Sequence, residues 1–70
     1  MLYRIKIVGC LDIVYEADCL EDVREYAYRL ARDYCVKESK KTRIYIHVLE
    51  EKSGELVDKG LVYHGEFRGV

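Results

Sequence analysis

The stretch DCLEDVREYAYRLARDYCV, residues 18–36, decides how the rest of the chain can fold. It is the segment with helical spacing: Leu20, Val23, Ala27, Leu30, Ala31 and Tyr34 return to one face every three or four residues. Glu21, Asp22, Arg24, Glu25, Arg29, Arg32 and Asp33 lie mostly outside that face. Asp18 is placed to cap the first turn, and Glu21, three residues on, completes an acidic version of the capping box. Acids crowd the first turns and arginines follow, which suits the helix dipole, and Glu25 to Arg29 is a favourable i,i+4 pair. The expected helix runs from about Cys19 to Cys35 or Val36.

On either side of this helix the period changes to two. Residues 2–8, LYRIKIV, set Tyr3, Ile5 and Ile7 against Arg4 and Lys6, the pattern of a half-buried strand. Gly9 interrupts it, and residues 11–16 read as a second, shorter strand with Ile13 and Tyr15 inward; one long bulged strand is the alternative. A polar, basic loop, VKESKK, follows the helix. Residues 42–50, TRIYIHVLE, then place Ile44, Ile46 and Val48 on one side and Arg43, Tyr45, His47 and Leu49 on the other. Residues 52–55, KSGE, make a hairpin turn with glycine where a positive φ is needed. Residues 56–64 form the last strand, whose parity is open because Lys59-Gly60 invites a bulge.

The expected fold is therefore α+β, in the order β-β-α-β-β, with one helix packed on one face of a four-stranded sheet. Two strand orders fit. A β-grasp-like sheet with the first and last strands parallel at its centre is preferred, and a fully antiparallel sheet with the third strand beside the first is the alternative. In both, one helix covers one face and leaves the other open to solvent or a partner.

A chain of 70 residues makes one domain, residues 1–70, with no room for a second core. Half of it is hydrophobic and 36% is charged, too apolar a balance for disorder. No apolar run approaches the ~20 residues of a membrane span, and MLYRIKIVGC has no signal-peptide core, so the expected location is the cytoplasm, with no membrane partner. The net charge of −1 supplies no global basic field, so nucleic-acid binding would need a local patch. There is no Asn, Gln or Pro, and only two Ser and one Thr. Loss of thermolabile amides beside abundant Lys, Glu and Arg is the composition of hyperthermophiles, which points to such an organism or its virus as the source. The same absence removes most side chains that line oxyanion holes and bind small substrates.

Every cysteine lies between residues 10 and 35. In the expected path Cys10 and Cys35 sit at one end of the sheet and Cys19 at the other. Cys19 and Cys35 would lie roughly 24 Å apart on one helix, beyond any disulfide. Cys10 and Cys35 can meet, either bridged or as two buried thiols, the commoner fate of cysteine. A bridge in the cytoplasm fits a hyperthermophile. Zinc is disfavoured, because no C-x2-C pair occurs and Cys10, Cys35 and His64 leave a site one ligand short. Cys19 stands among Asp18, Glu21 and Asp22, whose charges oppose a thiolate, so it reads as a small residue filling the first turn and not as a nucleophile. No base or hydroxyl partner is identifiable for His47. The chain therefore reads as non-enzymatic, with no catalytic residue, cofactor, metal or small-molecule substrate.

The open face carries what function the sequence shows. Leu2, Val8, Tyr45, His47 and Leu49 form a mixed apolar surface suited to another protein, and to a second copy of the chain in a homodimer above all. The expected role is thus a protein-interaction or assembly module that self-associates through the open face or a sheet edge. The alternative is single-stranded nucleic acid laid over Arg4, Lys6, Arg43, Tyr45 and His47, with Lys37, Lys40 and Lys41 of the basic loop at the border.

Overall fold

The computed structural model describes residues 1–36, 43–63 and 66–69. Strand β1 (Leu2–Ile7) turns at Gly9 into β2 (Leu11–Glu16). The reversal is a tight turn in which the Cys10 amide donates to the Ile7 carbonyl at 2.9 Å, and Gly9 takes φ 75°, where a side chain would be strained. The chain then enters helix α1 (Leu20–Leu30), continued by a π-helical turn, Ala31–Val36. Strands β3 (Arg43–Glu50) and β4 (Leu56–Tyr63) form the second hairpin, with Gly54 at φ 72° in its turn. A short fifth strand, β5 (Glu66–Gly69), pairs antiparallel with β4.

The sheet order is β2-β1-β3-β4-β5, and every neighbouring pair is antiparallel. The α+β fold and the single covering helix are as the sequence implies. The preferred β-grasp-like order is corrected: β1 pairs with β3, Ile5 opposite Val48 and Ile7 opposite Ile46, and β4 does not touch β1 as a neighbour. The physical reason is that both centre strands carry the same Ile/Val alternation, and antiparallel pairing zips their apolar sides together on the helix face.

That face is closed by Tyr3, Ile5, Ile7, Ile44, Ile46, Val48 and Val62 from the strands, and by Val23, Ala27, Ala31 and Cys35 from the helical segment. Each fully buried Ile or Val contributes on the order of 1.5–3 kcal/mol. The helical contacts recur every four residues. In a regular α-helix that spacing drifts by about 40° per step. The wider π-helical turn at Ala31–Val36 takes up the drift and keeps Ala31 and Cys35 over the sheet, each with no exposed surface. Tyr34, expected on the packed face, is 58% exposed as a result.

The helix start also departs from expectation. The N-cap is Cys19, in an extended conformation and without a side-chain cap hydrogen bond, so the Asp18–Glu21 capping box does not form. Cys19 is an exposed free thiol and not a packed filler. The bulge in the second hairpin lies between Val48 and Leu49, which pair with Asp58 and Leu56 and leave Val57 without an opposite residue. From Asp58 onward the alternation is regular, with Asp58, Gly60 and Val62 toward the helix, so Lys59-Gly60 is not the bulge. Asp58 is met there by Arg24 of α1 at 2.6 Å.

At the other end of the helix a disulfide joins Cys10 of the β1–β2 turn to Cys35, across 5.9 Å between Cα atoms. Of the two readings of this pair, the bridge is the one found; Cys35 is buried, while Cys10 lies at the surface. The bridge closes a loop with a sequence separation of 25. Its removal, by reduction or by Cys10→Ser with Cys35→Ser, should lower stability by about 3–4 kcal/mol. Denaturant melts with and without reductant check this, and a loss under about 1 kcal/mol would contradict it.

Candidate functional surface

The pairing registers arrange the open face in rows that cross the strands. One row is Val14, Arg4, Leu49 and Leu56. The next is Asp12, Lys6, His47 and Lys59. Beyond it Val8 lies beside Tyr45, through an amide-to-carbonyl bond of 3.0 Å, and Tyr45 pairs with Leu61. The predicted interface residues Leu2, Val8, Tyr45, His47 and Leu49 thus share one surface, with His47 and Leu49 half-buried and the others exposed. Among the described residues the large exposed apolar side chains include Leu2, Val8, Val14, Tyr45 and Leu56, all on or at the end of this face. Sequence reading missed Val14 and Leu56. Val14 was hidden by the short second strand, and Leu56 by the unplaced bulge; the outward position of Val14 between Ile13 and Tyr15 was its only signal.

The basic residues are not equivalent. Arg4 is held between two acids: Nε and Nη2 donate to the Glu51 carboxylate at 2.8 and 2.9 Å, and Nη1 donates to Asp12 Oδ1 at 2.8 Å. These bonds, with Glu51 first and Asp12 second, raise the Arg4 guanidinium further above its ordinary range. The Arg4 bond in turn holds the Glu51 carboxyl below its ordinary 4.5, against the opposing effect of desolvation. Arg43 lies over the Tyr63 ring at 5.6 Å. Lys6 is exposed between Asp12 and His47. Lys37, Lys40 and Lys41, expected at the border, and His64 lie outside the described residues.

The other end of the molecule holds a surface groove of about 490 Å³, lined by Tyr15, Glu16, Asp18, Asp22, Glu25 and Arg29 among others. Tyr15 and Tyr26 stack there at 4.1 Å. Its acidity opposes a polyanion. Among the described residues no three His, Cys, Asp or Glu side chains come together as a metal site would require. No helix in the described residues is long and apolar enough to cross a membrane. No family model, curated protein or solved structure matches the chain.

The Arg4–Glu51 fork has a pH signature. Because the folded-state value of Glu51 is lowered, its contribution is fully present above about pH 4.5 and is lost as pH falls through the lowered value. Acid unfolding of the native chain should therefore steepen below pH 4.5, and Glu51→Gln should flatten that limb. Thermal midpoints from pH 2.5 to 7 test this, and parallel curves for the two proteins would count against the fork.

Proposed function

We propose that the protein is a small non-enzymatic assembly module that self-associates through the open face of its sheet. One observation carries the reading. Leu2, Val14, Tyr45 and Leu56 are each 44–50% exposed on the face that the helix does not cover, and the arginine among them already has both of its acids. Apolar side chains around an ion-paired arginine suit a protein partner, while the cations of this face left to meet phosphate include, among the described residues, Lys6, Lys59 and the ring-stacked Arg43. Tyrosine suits such a surface because its ring packs while its hydroxyl stays wet. The amide-poor composition fits a hyperthermophilic source, in which a disulfide survives inside the cell, so a cytoplasmic location belongs to the same reading.

Mass in solution tests the proposal. Light scattering over a concentration series should give a dimer for the native chain and a monomer for Tyr45→Glu, with an unchanged circular-dichroism spectrum. A native monomer at millimolar concentration would sink self-association. Salt-sensitive binding of single-stranded oligonucleotides, abolished by Lys6→Glu with Arg43→Glu at unchanged mass, would favour nucleic acid instead.

A further inference from the structure

The rows of the open face specify how two copies meet. Resting on the self-association proposed above, we infer that the dimer is a face-to-face sandwich whose two-fold axis runs parallel to the strands, midway between β1 and β3. Such an axis reverses the strand order of the partner and keeps the rows in step. The charged row runs Asp12, Lys6, His47, Lys59 across β2, β1, β3 and β4. Reversed, it sets Asp12 over the partner's Lys59, and does so twice, while Lys6 faces the partner's His47. The row of Val14, Arg4, Leu49 and Leu56 sets Val14 over the partner's Leu56, again twice. In the third row Val8 faces the partner's Tyr45.

The competing aligned arrangement has its two-fold axis across the strands, along the charged row. It stacks Asp12 on Asp12, Lys6 on Lys6 and Lys59 on Lys59, and like charges directly opposed are destabilising. Charge alone therefore selects between the two. Shape agrees. A groove of about 330 Å³ opens beside the β1–β2 turn, lined by Gly9 and Cys10 together with Lys6, Val8, Asp12 and His47 of the face, next to where the reversed partner brings Lys59 and Leu61. Facing sheets incline by about 30°, and Asp12 and Lys59 stand roughly 7 Å from the axis. The inclination displaces the facing pair by about 4 Å, within the reach of a lysine stem. Asp12 retains acceptor capacity, since its only bond to Arg4 in the described structure uses Oδ1.

Charge reversal tests the pairing. Asp12→Lys and Lys59→Asp should each weaken dimerisation by about tenfold or more, and the double variant should return to within about threefold of the native dissociation constant. Asp12→Lys also removes one partner of Arg4, so thermal melts accompany each variant. A second measurement does not depend on that residue. In a Cys19→Ser background, Val14→Cys with Leu56→Cys places thiols about 14 Å apart within one chain, three strands away. They face each other across the proposed interface. A bis-maleimide long enough to bridge the ~10 Å between facing sheets, too far for a direct disulfide, but shorter than the ~14 Å within one chain should give a covalent dimer on a denaturing gel. A native dimer that neither cross-links nor shows rescue would overturn this geometry and leave self-association standing. A native monomer at millimolar concentration would overturn both.

Discussion

A single helix of small side chains, pressed onto one face of an antiparallel sheet and covalently tied at its far end, is the contact on which the structure depends. Val23, Ala27, Ala31 and Cys35 offer little bulk, so the helix lies close to Ile5, Ile7, Ile44, Ile46 and Val48. Arg24 meets Asp58 near the start of the helix, and the Cys10–Cys35 bridge fixes its end to the first hairpin. A domain this small has a thin core, and a disulfide is one of the few reinforcements open to it. The π-helical turn belongs to the same arrangement, because it brings Cys35 over the sheet where a regular helix would drift away.

One helix cannot cover two faces. The consequence is a second face on which apolar side chains, ion-paired charges and one half-buried histidine stand in rows set by strand register. Arg4 is gripped by Glu51 and Asp12, so its charge is met within the chain. Val14 and Leu56 flank the row of Arg4, and they gain weight as its outer members in the dimer proposed above. The same register that closes the core on one side therefore dictates the pattern offered on the other, since a one-residue slip would exchange the two sets.

Much of this was legible because period-two and period-3.6 patterns are written directly in the residues. Ile5, Ile7, Ile44, Ile46 and Val48 declare their side by alternation, and Val23, Ala27 and Ala31 by helical spacing. Strand order was less legible, since alternation states which side a residue faces and not which strand lies beside it. Regular helical spacing puts Tyr34 on the packed face, but the segment widens at Ala31–Val36 and turns it outward. Asp18 satisfies every local rule for a cap, yet the N-cap lies one residue later, at Cys19, and the helix opens at Leu20. The Arg4 fork joins residues 47 positions apart, Arg4 and Glu51, and no local pattern announces it.

The central claim is that the open face is covered in solution and the helix surface is not. Paramagnetic solvent relaxation, read on the side-chain signals of Val14, Tyr45 and Leu56 and on those of Leu20 and Tyr28 in the helix, measures this directly across a dilution series. The account predicts that the first three are shielded from the probe at high concentration and become accessible on dilution, while the helix signals stay constant. Accessibility of Val14, Tyr45 and Leu56 that does not change with concentration would contradict it.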